Sequence, residues 1–382
     1  MKDFPAHIRE GKQSGKKEAE IQTVQAHCRG TARYASDCLR SVNLSNAAYL
    51  AGLVHDCGKF TDQFSEYIWK AFREEPVRKG AVNHTFAGVR LLLERFHGPS
   101  CTEYGDMTAE LLAYAVGAHH GQFDCINEKG ESGFLHRLEA ENIGSETARE
   151  NFLRQCASWP ELEELFRKAN GELLPIYERL SQQEEQQMFG LSQLARLLLS
   201  AVIEGDRRDT AEFMDGIQTP GVKTDETFWK KHLEQMESRL SGFSRDRPIQ
   251  AARCQISDQC RRAAERPAGV YRLNVPTGGG KTLSALRFAL AHAEKWEKKR
   301  IIFVTPLLTI LEQNAAVIRN FIGDDSIILE HHSNVLPAEE NPEALDLREL
   351  AANSWDAPVI ITTLVQLLNT MFLGMESRRS MA

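Results

Sequence analysis

The sequence lacks several features that would direct its interpretation elsewhere. Its eight cysteines include no C-x-x-C pair, which argues against a zinc ribbon or a zinc knuckle. No apolar run approaches the ~20 residues that a membrane-spanning helix needs, so we expect no membrane anchor. Residues 1–20 are charged and have no apolar segment, which excludes a secretory signal. We therefore expect a cytoplasmic protein whose cysteines are reduced.

The chain also has no large excess of charge. Its net charge of −7 means that any nucleic-acid surface must gather its basic residues locally. A hydrophobic content of 42% and a charged content of 26% are typical of a soluble globular protein. At roughly 150 residues per domain, 382 residues predict two or three domains.

The first part of the chain has helical periodicity and no alternating strand pattern, which predicts one all-α domain over residues 1–240. The predicted helices are 19–40, 46–57, 60–73, 84–96, 106–118, 146–156, 161–167, 172–188 and 191–204. The segment AAYLAGLVHDCGK, residues 47–59, is central to the interpretation. Its apolar run ends on His55 and Asp56, and Gly58 follows as a helix-stop signal.

Ionisable side chains recur at helix ends or on apolar stripes of these helices, where an unpaired charge is costly. Any single one is more often a hydrogen-bonded core residue than a metal ligand. The ordered set, however, supplies seven nitrogen and oxygen ligands, which are enough for two adjacent metal ions. The set is His27, His55, Asp56, His84, His119, His120 and Asp206. Imidazole combined with carboxylate suits Mn, Fe, Co, Ni or Zn, and two such ions ~3.5–4 Å apart can act on a phosphodiester.

After the first domain the pattern changes. Residues 241–250, which begin SGFSRDRP, are predicted to form a linker. Strands are predicted at 270–275, 300–306, 326–332 and 358–363, with helices between them that include 343–354. Alternating strands and helices predict a parallel sheet covered by helices over residues 251–382.

A glycine loop, PTGGGKT, lies between the first predicted strand of this part and a predicted helix, as a phosphate-binding loop should. The loop residues are Thr277, Gly278, Gly279, Gly280, Lys281 and Thr282. Backbone amides of such a loop surround the phosphates, while the lysine reaches the β- and γ-phosphates and the last threonine ligates Mg²⁺. Val275 stands where the strict G-x-x-x-x-G-K-[ST] pattern has glycine. The form P-T-G-x-G-K-T is that of superfamily 2 helicases.

The ordered histidines and aspartates resemble those of HD-superfamily metal phosphohydrolases, and more narrowly the HD nuclease domain of the type I CRISPR-associated nuclease–helicase. VHDCGK matches the family signature HD-x-G-K, and AHHG matches its double-histidine motif. The resemblance implies that one divalent metal ion is held by His27, His55, Asp56 and Asp206. It implies that a second ion is held by His84, His119 and His120, with Asp56 bridging.

The same resemblance implies catalytic roles for His55, Asp56 and Lys59, with Lys59 countering the charge of a phosphate. The residues themselves leave a second interpretation of Lys59 open, in which it is a lysine at a helix C-terminus that interacts with the helix dipole.

The segments VTPLLTILEQN and ITTLVQLL resemble helicase motifs Ia and Ic. The resemblance implies contacts to the DNA backbone from Thr305, Thr362, Thr363 and Gln366. ATP and Mg²⁺ are expected for the full-length helicase. The sequence ends before the segment expected to carry the acidic Walker B pair, so we expect an incomplete α/β RecA-like P-loop domain. Without those carboxylates we expect no meaningful ATP hydrolysis by this chain alone.

The function implied by the resemblance is metal-dependent cleavage of single-stranded DNA in CRISPR interference. The implied partner is a Cascade-type surveillance ribonucleoprotein complex, and we expect a monomeric prokaryotic protein. Two alternatives remain open. One is an HD phosphohydrolase that acts on nucleotides, which the helicase motifs argue against. The other is a non-catalytic docking module for a surveillance complex, which the intact ligand series argues against.

Overall fold

The computed structural model describes residues 2–11, 18–78, 82, 84–121, 132–139, 144–216, 224–332 and 355–372. These residues form two compact units, one ending at Gly216 and the other extending from 224 to 372. The first unit is mainly helical, and the second combines helices with a small parallel sheet. The predicted fold class, a helical domain followed by part of an α/β domain, is therefore confirmed.

The first unit begins with two short strands, β1 (Pro5–Glu10) and β2 (Ala19–Thr23), which pair in antiparallel orientation. The helices that follow are α1 (Val24–Leu39), α2 (Ser45–Val54), α3 (Asp62–Phe72), α4 (Phe86–Phe96), α5 (Glu103–Ala118), α6 (Gly133–Glu139), α7 (Ser145–Gln155), α8 (Trp159–Ser181) and α9 (Glu184–Asp215).

Four predicted helices of this unit differ markedly from the observed elements, and the one predicted at 191–204 is part of the longer α9. The helix predicted over 19–40 begins five residues later, because its first residues form β2 and pair with β1, a partner that the local pattern does not reveal. Thr23 then caps α1, and its hydroxyl oxygen accepts a hydrogen bond from the Ala26 N–H at 3.2 Å. The helix predicted at 161–167 and the first ten residues of the one predicted at 172–188 are continuous as α8, whose buried side chains follow one face across the predicted break, whereas residues 184–188 begin α9.

Helix α2 lies at the centre of the first unit and packs against α1, α8 and α9. Its apolar side chains are fully buried, and they are Ala47, Ala48, Leu50, Ala51, Leu53 and Val54. A helix that is apolar on every side is stable only when other elements surround it. The end of α2 therefore delivers His55 and Asp56, and the 3-10 turn Cys57–Lys59 after them, into the protein interior.

Within the described residues, α9 is long and apolar enough by length and composition to cross a membrane, although the sequence predicted no such helix. It packs along α1, α2, α5 and α8 of the same unit. Its buried residues include the polar Glu204 and Asp209. This composition and packing are those of a core helix.

The second unit is built around a parallel sheet. Its elements are α10 (Glu226–Ser241), α11 (Pro248–Ala263), α12 (Lys281–Lys295), β3 (Ile301–Thr305), α13 (Leu308–Ile322), β4 (Ile328–His331), β5 (Val359–Thr363) and α14 (Leu364–Phe372). The strand order is β3-β5-β4, with Ile301 and Ile328 both in register with Val359. Helices α12 and α13 cover the buried face of this sheet.

The strand predicted at 270–275 does not form. This segment pairs with none of the described strands, and the side chains of Val270, Tyr271 and Leu273 are exposed. A strand is stable only beside a neighbour that takes its backbone hydrogen bonds, and the local sequence cannot supply that neighbour. The helix predicted over 343–354 lies outside the described residues.

The division between the units falls before α10, whereas the sequence placed the domain boundary at 240 and a linker over 241–250. Trp229 of α10 is fully buried, and its indole N–H donates a hydrogen bond to the carbonyl of Lys298. Helix α10 therefore packs on α12 and α13 of the second unit. Only residues 242–247 separate α10 from α11.

Candidate metal centre

The seven predicted ligands come together in the first unit, although they lie up to 179 residues apart in sequence (27 to 206). Helix α1 contributes His27, and the end of α2 contributes His55 and Asp56. The residues are His27, His55, Asp56, His84, His119, His120 and Asp206, and they form three overlapping groups whose ligand atoms lie within 4.8 Å of one another. Nitrogen and oxygen atoms this close together, supplied by five helical segments, form a single polar cluster in an apolar core.

The first group consists of His27, His55, Asp56 and Asp206. The Nε2 atom of His27 lies 3.2 Å from Asp56 Oδ2 and 3.2 Å from Asp206 Oδ1. The Nε2 atom of His55 lies 3.1 Å from Asp56 Oδ2 and 3.9 Å from Asp206 Oδ1. His27, His55 and Asp56 are fully buried, while the Asp206 side chain is 21% exposed.

The second group consists of Asp56, His84, His119 and His120. The Nε2 atoms of His84 and His119 lie 3.7 Å and 3.6 Å from Asp56 Oδ1. The Nε2 atoms of His84 and His120 are 2.8 Å apart. Because His120 is exposed and His84 is partly exposed, this group forms the solvent-facing side of the cluster. Asp56 directs Oδ2 to the first group and Oδ1 to the second.

Backbone carbonyls orient three of the imidazoles. In each case Nδ1 lies at hydrogen-bond distance from a carbonyl oxygen two or three residues earlier in the chain. The pairs are His55 with Gly52 (2.8 Å), His119 with Val116 (2.6 Å) and His84 with Val82 (3.1 Å). Donation of the Nδ1–H to a carbonyl leaves Nε2 as the lone-pair atom that faces the cluster, as metal ligation requires.

Asp209 is a residue of this site that the sequence analysis missed. Its Oδ2 lies 2.7 Å from His27 Nδ1 and accepts a second hydrogen bond from Gln22 Nε2 at 2.8 Å. Asp209 follows Asp206 by three residues on α9, so both carboxylates lie on the same helix face. That spacing is the signal that could have found it. The ring of His7, on β1, also lies 4.7 Å from the His27 ring.

The buried donor atoms of the cluster fit a metal ion. Four of them make no hydrogen bond within the described residues, and they are His27 Nε2, His55 Nε2, Asp56 Oδ1 and His119 Nε2. Asp56 Oδ2 has an ion pair with Lys59 Nζ. Buried polar atoms in proteins are nearly always paired, so four adjacent nitrogen and oxygen atoms without hydrogen bonds indicate a site for a cation. Imidazole nitrogens with carboxylate oxygens are the ligands of divalent transition metals.

The two carboxylates are strongly acidic in this site. Burial alone would raise the pKa of Asp56, but the charges of His55 and Lys59 hold it well below its usual range. The Nζ atom of Lys59 lies 2.6 Å from Asp56 Oδ2. Burial would likewise raise the pKa of Asp206, but hydrogen bonds from His27 and His55 hold it well below its usual range. Both carboxylates are therefore ionised and available as ligands at neutral pH.

The histidines of the two groups differ in their proton affinity. Burial alone would lower the pKa of His27, but hydrogen bonds to three surrounding carboxylates raise it to about 10. Burial also opposes protonation of His55, but the charge of Asp56 and a hydrogen bond to Asp206 raise its pKa to about 8. In contrast, burial lowers the pKa of His84 to about 4.

We expect metal binding to release protons from the first group. His27 and His55 carry protons at about pH 7 and must lose them to ligate a metal, whereas His84 and His120, with pKa values of about 4 and about 3, are already neutral. Apparent metal affinity should therefore rise with pH, approaching ~100-fold per unit below about pH 8 because two protons are displaced. Calorimetric titration with Mn²⁺ in buffers of different ionisation enthalpy measures the released protons. A pH-independent affinity would contradict this assignment.

In the second unit, the glycine loop contains two residues with left-handed backbone conformation. Gly278 and Gly280 have φ angles of +81° and +80°, which side-chain-bearing residues rarely adopt. Lys281 begins α12 directly after the loop. The hydroxyl of Thr282 donates a hydrogen bond to Asn314 Oδ1 on α13 at 2.9 Å.

The residues predicted to contact DNA are only partly available for it. Thr362 is fully buried, and its hydroxyl donates a hydrogen bond to the carbonyl of His331 at 2.8 Å. Residues 359–362 of β5 are all buried, so the Thr362 side chain lies in the interior of this unit, and its contact with a phosphate stays a prediction. Thr305 is also buried and donates to a carbonyl of its own loop. Thr363 accepts a hydrogen bond from the Gln366 N–H at 3.3 Å where α14 begins, and both residues are partly exposed.

Comparison with known families assigns the two parts of the chain to different families. Residues 11–203 match the family described as "Cas3, HD domain", which is just over half of the chain. The chain belongs to the Cas3 HD-domain family. An HD domain of this family implies a nuclease that binds divalent metal ions, in agreement with the histidine and aspartate groups. Residues 240–378 match the family described as "Type III restriction enzyme, res subunit", which makes the second unit helicase-like.

Solved Cas3 structures resemble this chain at low identity. The T. fusca Cas3-ATP crystal structure has 16% identity and a TM-score of 0.47, over 98% of this chain and 45% of that one. T. fusca Cas3 has 17% identity and a TM-score of 0.46, over 96% and 44%. A chain described as "CRISPR RNA-guided surveillance complex, pre-nicking" has 15% identity and a TM-score of 0.34, over 94% and 48%.

This chain therefore spans less than half the length of the structures that it matches. No curated protein matches it. Membership of the Cas3 HD-domain family stands on the match over residues 11–203.

Proposed function

We propose that this chain is a metal-dependent deoxyribonuclease that hydrolyses phosphodiester bonds of single-stranded DNA in CRISPR interference. The observation that carries the proposal is the convergence of seven imidazole and carboxylate side chains, four of whose atoms are buried without a hydrogen bond or an ion pair with Lys59 among the described residues. Such a cluster is costly to maintain in an apolar core unless it binds cations.

The ligands divide naturally between two metal positions. The first position would be held by His27, His55, Asp56 and Asp206, and the second by Asp56, His84, His119 and His120. Asp56 would belong to both, since its two oxygens face different groups. Two divalent ions bound here would activate a water molecule and stabilise the charge that develops on a phosphate.

The exposed side chains of the cluster indicate the side from which a substrate would approach. His120 and part of His84 are exposed, so a sugar-phosphate backbone would approach from the side of the second group. Lys59 lies at the opposite oxygen of Asp56, 2.6 Å from Oδ2, and is 8% exposed. In the proposed catalytic state its ammonium group would offset the negative charge of Asp56 and of the incoming phosphate.

Single-stranded DNA is the proposed substrate because the HD unit is joined to a helicase-like unit, whose product is a single strand. The glycine loop of that unit, Thr277–Thr282, would be the nucleotide site, with Lys281 on the phosphates and Mg²⁺ at Thr282. Membership of the Cas3 family supports a Cascade-type surveillance complex as the partner that delivers the DNA.

The proposal is tested by comparing substrates under identical conditions. The purified chain, loaded with Mn²⁺ or Co²⁺, is incubated with circular single-stranded DNA, the same sequence as a duplex, and deoxynucleoside triphosphates. We expect cleavage of the circular single strand, little cleavage of the duplex, intact triphosphates, and no reaction after chelation of the metal.

Two other outcomes of this assay would indicate a nucleotide phosphohydrolase or a docking module. Hydrolysis of the triphosphates in preference to DNA would establish a nucleotide phosphohydrolase instead. A protein that binds metal but hydrolyses none of these substrates would be a docking module, and its affinity for a surveillance complex should then be independent of chelation.

A further inference from the structure

The two groups of ligands are unequal in charge and burial. The first group has two carboxylates, Asp56 and Asp206, with Asp209 one hydrogen bond away. The second group shares Asp56 and otherwise consists of the imidazoles of His84, His119 and His120, and Asp206 also lies within ligand distance of His119 and His120. His27 and His55 are fully buried, whereas His120 is exposed. A divalent cation interacts more strongly with carboxylates in a dry environment than with imidazoles beside water.

Two contacts and the space beside a glycine hold the carboxylate of Asp209 next to His27. Its Oδ2 lies 2.7 Å from His27 Nδ1 and 2.8 Å from Gln22 Nε2, and the residue is 6% exposed. Gly30, on the same helix as His27, provides the space for the carboxylate. A Cβ atom on Gly30 would lie 1.7 Å from Asp209 Oδ1, so no side chain can occupy that position while Asp209 stays where it is.

The partner of the Nδ1 atom differs between His27 and three other imidazoles of the cluster. The Nδ1 atoms of His55, His119 and His84 face backbone carbonyls, whereas that of His27 faces a carboxylate. A carboxylate partner fixes the ring orientation and makes Nε2 a stronger donor to a metal than a neutral carbonyl does.

We propose that Asp209 is a positioning residue that acts through His27 and makes the first group the tighter of the two metal positions. The first position then fills before the second, and the second is the exchangeable one. This inference rests on the proposed two-metal function. Loss of such a carboxylate behind a ligating histidine typically lowers metal affinity 10–100-fold.

The test is a Co²⁺ titration of the metal-free full chain, followed by visible absorption and by calorimetry. Wild-type protein should bind two ions in separable steps. Asp209→Ala should weaken the tighter step by ~10–100-fold and leave the weaker step unchanged. Asp209→Asn, which keeps an acceptor for His27 Nδ1–H without the charge, should recover part of the loss. Gly30→Ala should reproduce the loss with Asp209 still present, because the new Cβ displaces its carboxylate.

Asp215→Ala is the matched control, since it removes an exposed carboxylate from the end of the same helix. It should leave both steps unchanged. Thermal unfolding and ¹⁵N shifts in the Zn²⁺-loaded protein separate positioning from folding, because only a positioning role predicts an altered Nδ1 shift for His27 in Asp209→Ala while the Nδ1 shifts of His55 and His119 stay unchanged. Two bound ions with unchanged affinities in Asp209→Ala and Asp209→Asn would overturn this inference alone. A wild-type protein that binds fewer than two ions would overturn the proposed function as well.

Discussion

Replacing Asp56 by alanine is expected to remove both metal ions and to reduce DNA cleavage to background. Asp56 is the residue that both groups share, with Oδ2 3.1 Å from His55 Nε2 and Oδ1 3.6 Å from His119 Nε2. Its loss would leave each metal position short of a carboxylate, and carboxylates supply the only negative charge in the site. Metal analysis of the purified variant, together with the single-stranded DNA assay, measures both effects.

Asp56→Ala is also expected to lower the stability of the folded protein. Lys59 is 8% exposed, and Asp56 is the carboxylate that its Nζ contacts, so Asp56→Ala would leave a buried ammonium group without its counter-ion. Breaking a buried ion pair in this way costs about 3–5 kcal/mol. The double variant Asp56→Asn, Lys59→Met removes the ligand and the cation together, and it should restore stability without restoring metal or cleavage.

Asp62→Ala is the control, because it removes an exposed carboxylate of the same unit, 76% exposed and paired with Lys2. It should keep wild-type metal content and activity. If Asp56→Ala kept both metals and cleaved DNA at the wild-type rate, the metal centre would be assigned to the wrong residues.

Replacing Gly58 by alanine is expected to destabilise the first unit and to eject the metal of the second group. A Cβ atom on Gly58 would lie 2.1 Å from the His84 carbonyl oxygen and 2.5 Å from His84 Cα. Both are backbone atoms, so the segment before α4 must move and carry His84 away from Asp56 and His120. Overpacking of this kind costs about 1–3 kcal/mol, and more where backbone must shift.

Urea unfolding and metal analysis of Gly58→Ala measure the two effects, and metal content should fall from two ions to one. Gly171→Ala is the matched control, because a Cβ on Gly171 in α8 meets no atom within 4 Å. It should be neutral or stabilising by about 0.5–1 kcal/mol, the usual advantage of alanine within a helix. If Gly58→Ala had wild-type stability and two bound metals, the close approach of Gly58 to the His84 backbone would not be required for folding or for metal binding.

The ligand series could be predicted from the sequence because of its order along the chain, since any single member is more often a hydrogen-bonded core residue. His55 and Asp56 follow an apolar run that only a buried helix explains, and Gly58 marks its end. Asp209 could not be read in the same way. Its role depends on which nitrogen of His27 faces the metal position, and that orientation is set by the packing of α9 on α1.

The strands also show what the local sequence does not predict. The pattern of residues 19–23 is compatible with a helix, yet the segment pairs with β1, and residues 270–275 read as a strand but have no described neighbour. Strand formation depends on hydrogen bonds to a distant segment, whereas helix hydrogen bonds are made within the same segment. Thr362 is a further case, since its inward direction follows from the register of β5.

By itself, the sequence predicted a helical unit that carries seven imidazole and carboxylate side chains in a fixed order, and a glycine loop that follows in an α/β unit. Those features can be predicted from short segments, because helical periodicity and glycine turns depend on residues that are close together in the sequence. Only the tertiary structure decided that Asp56 divides its oxygens between two groups, that Asp209 lies at Nδ1 of His27, and that α10 belongs to the second unit. These depend on which helix faces pack together, and that packing is settled by burial over the whole chain.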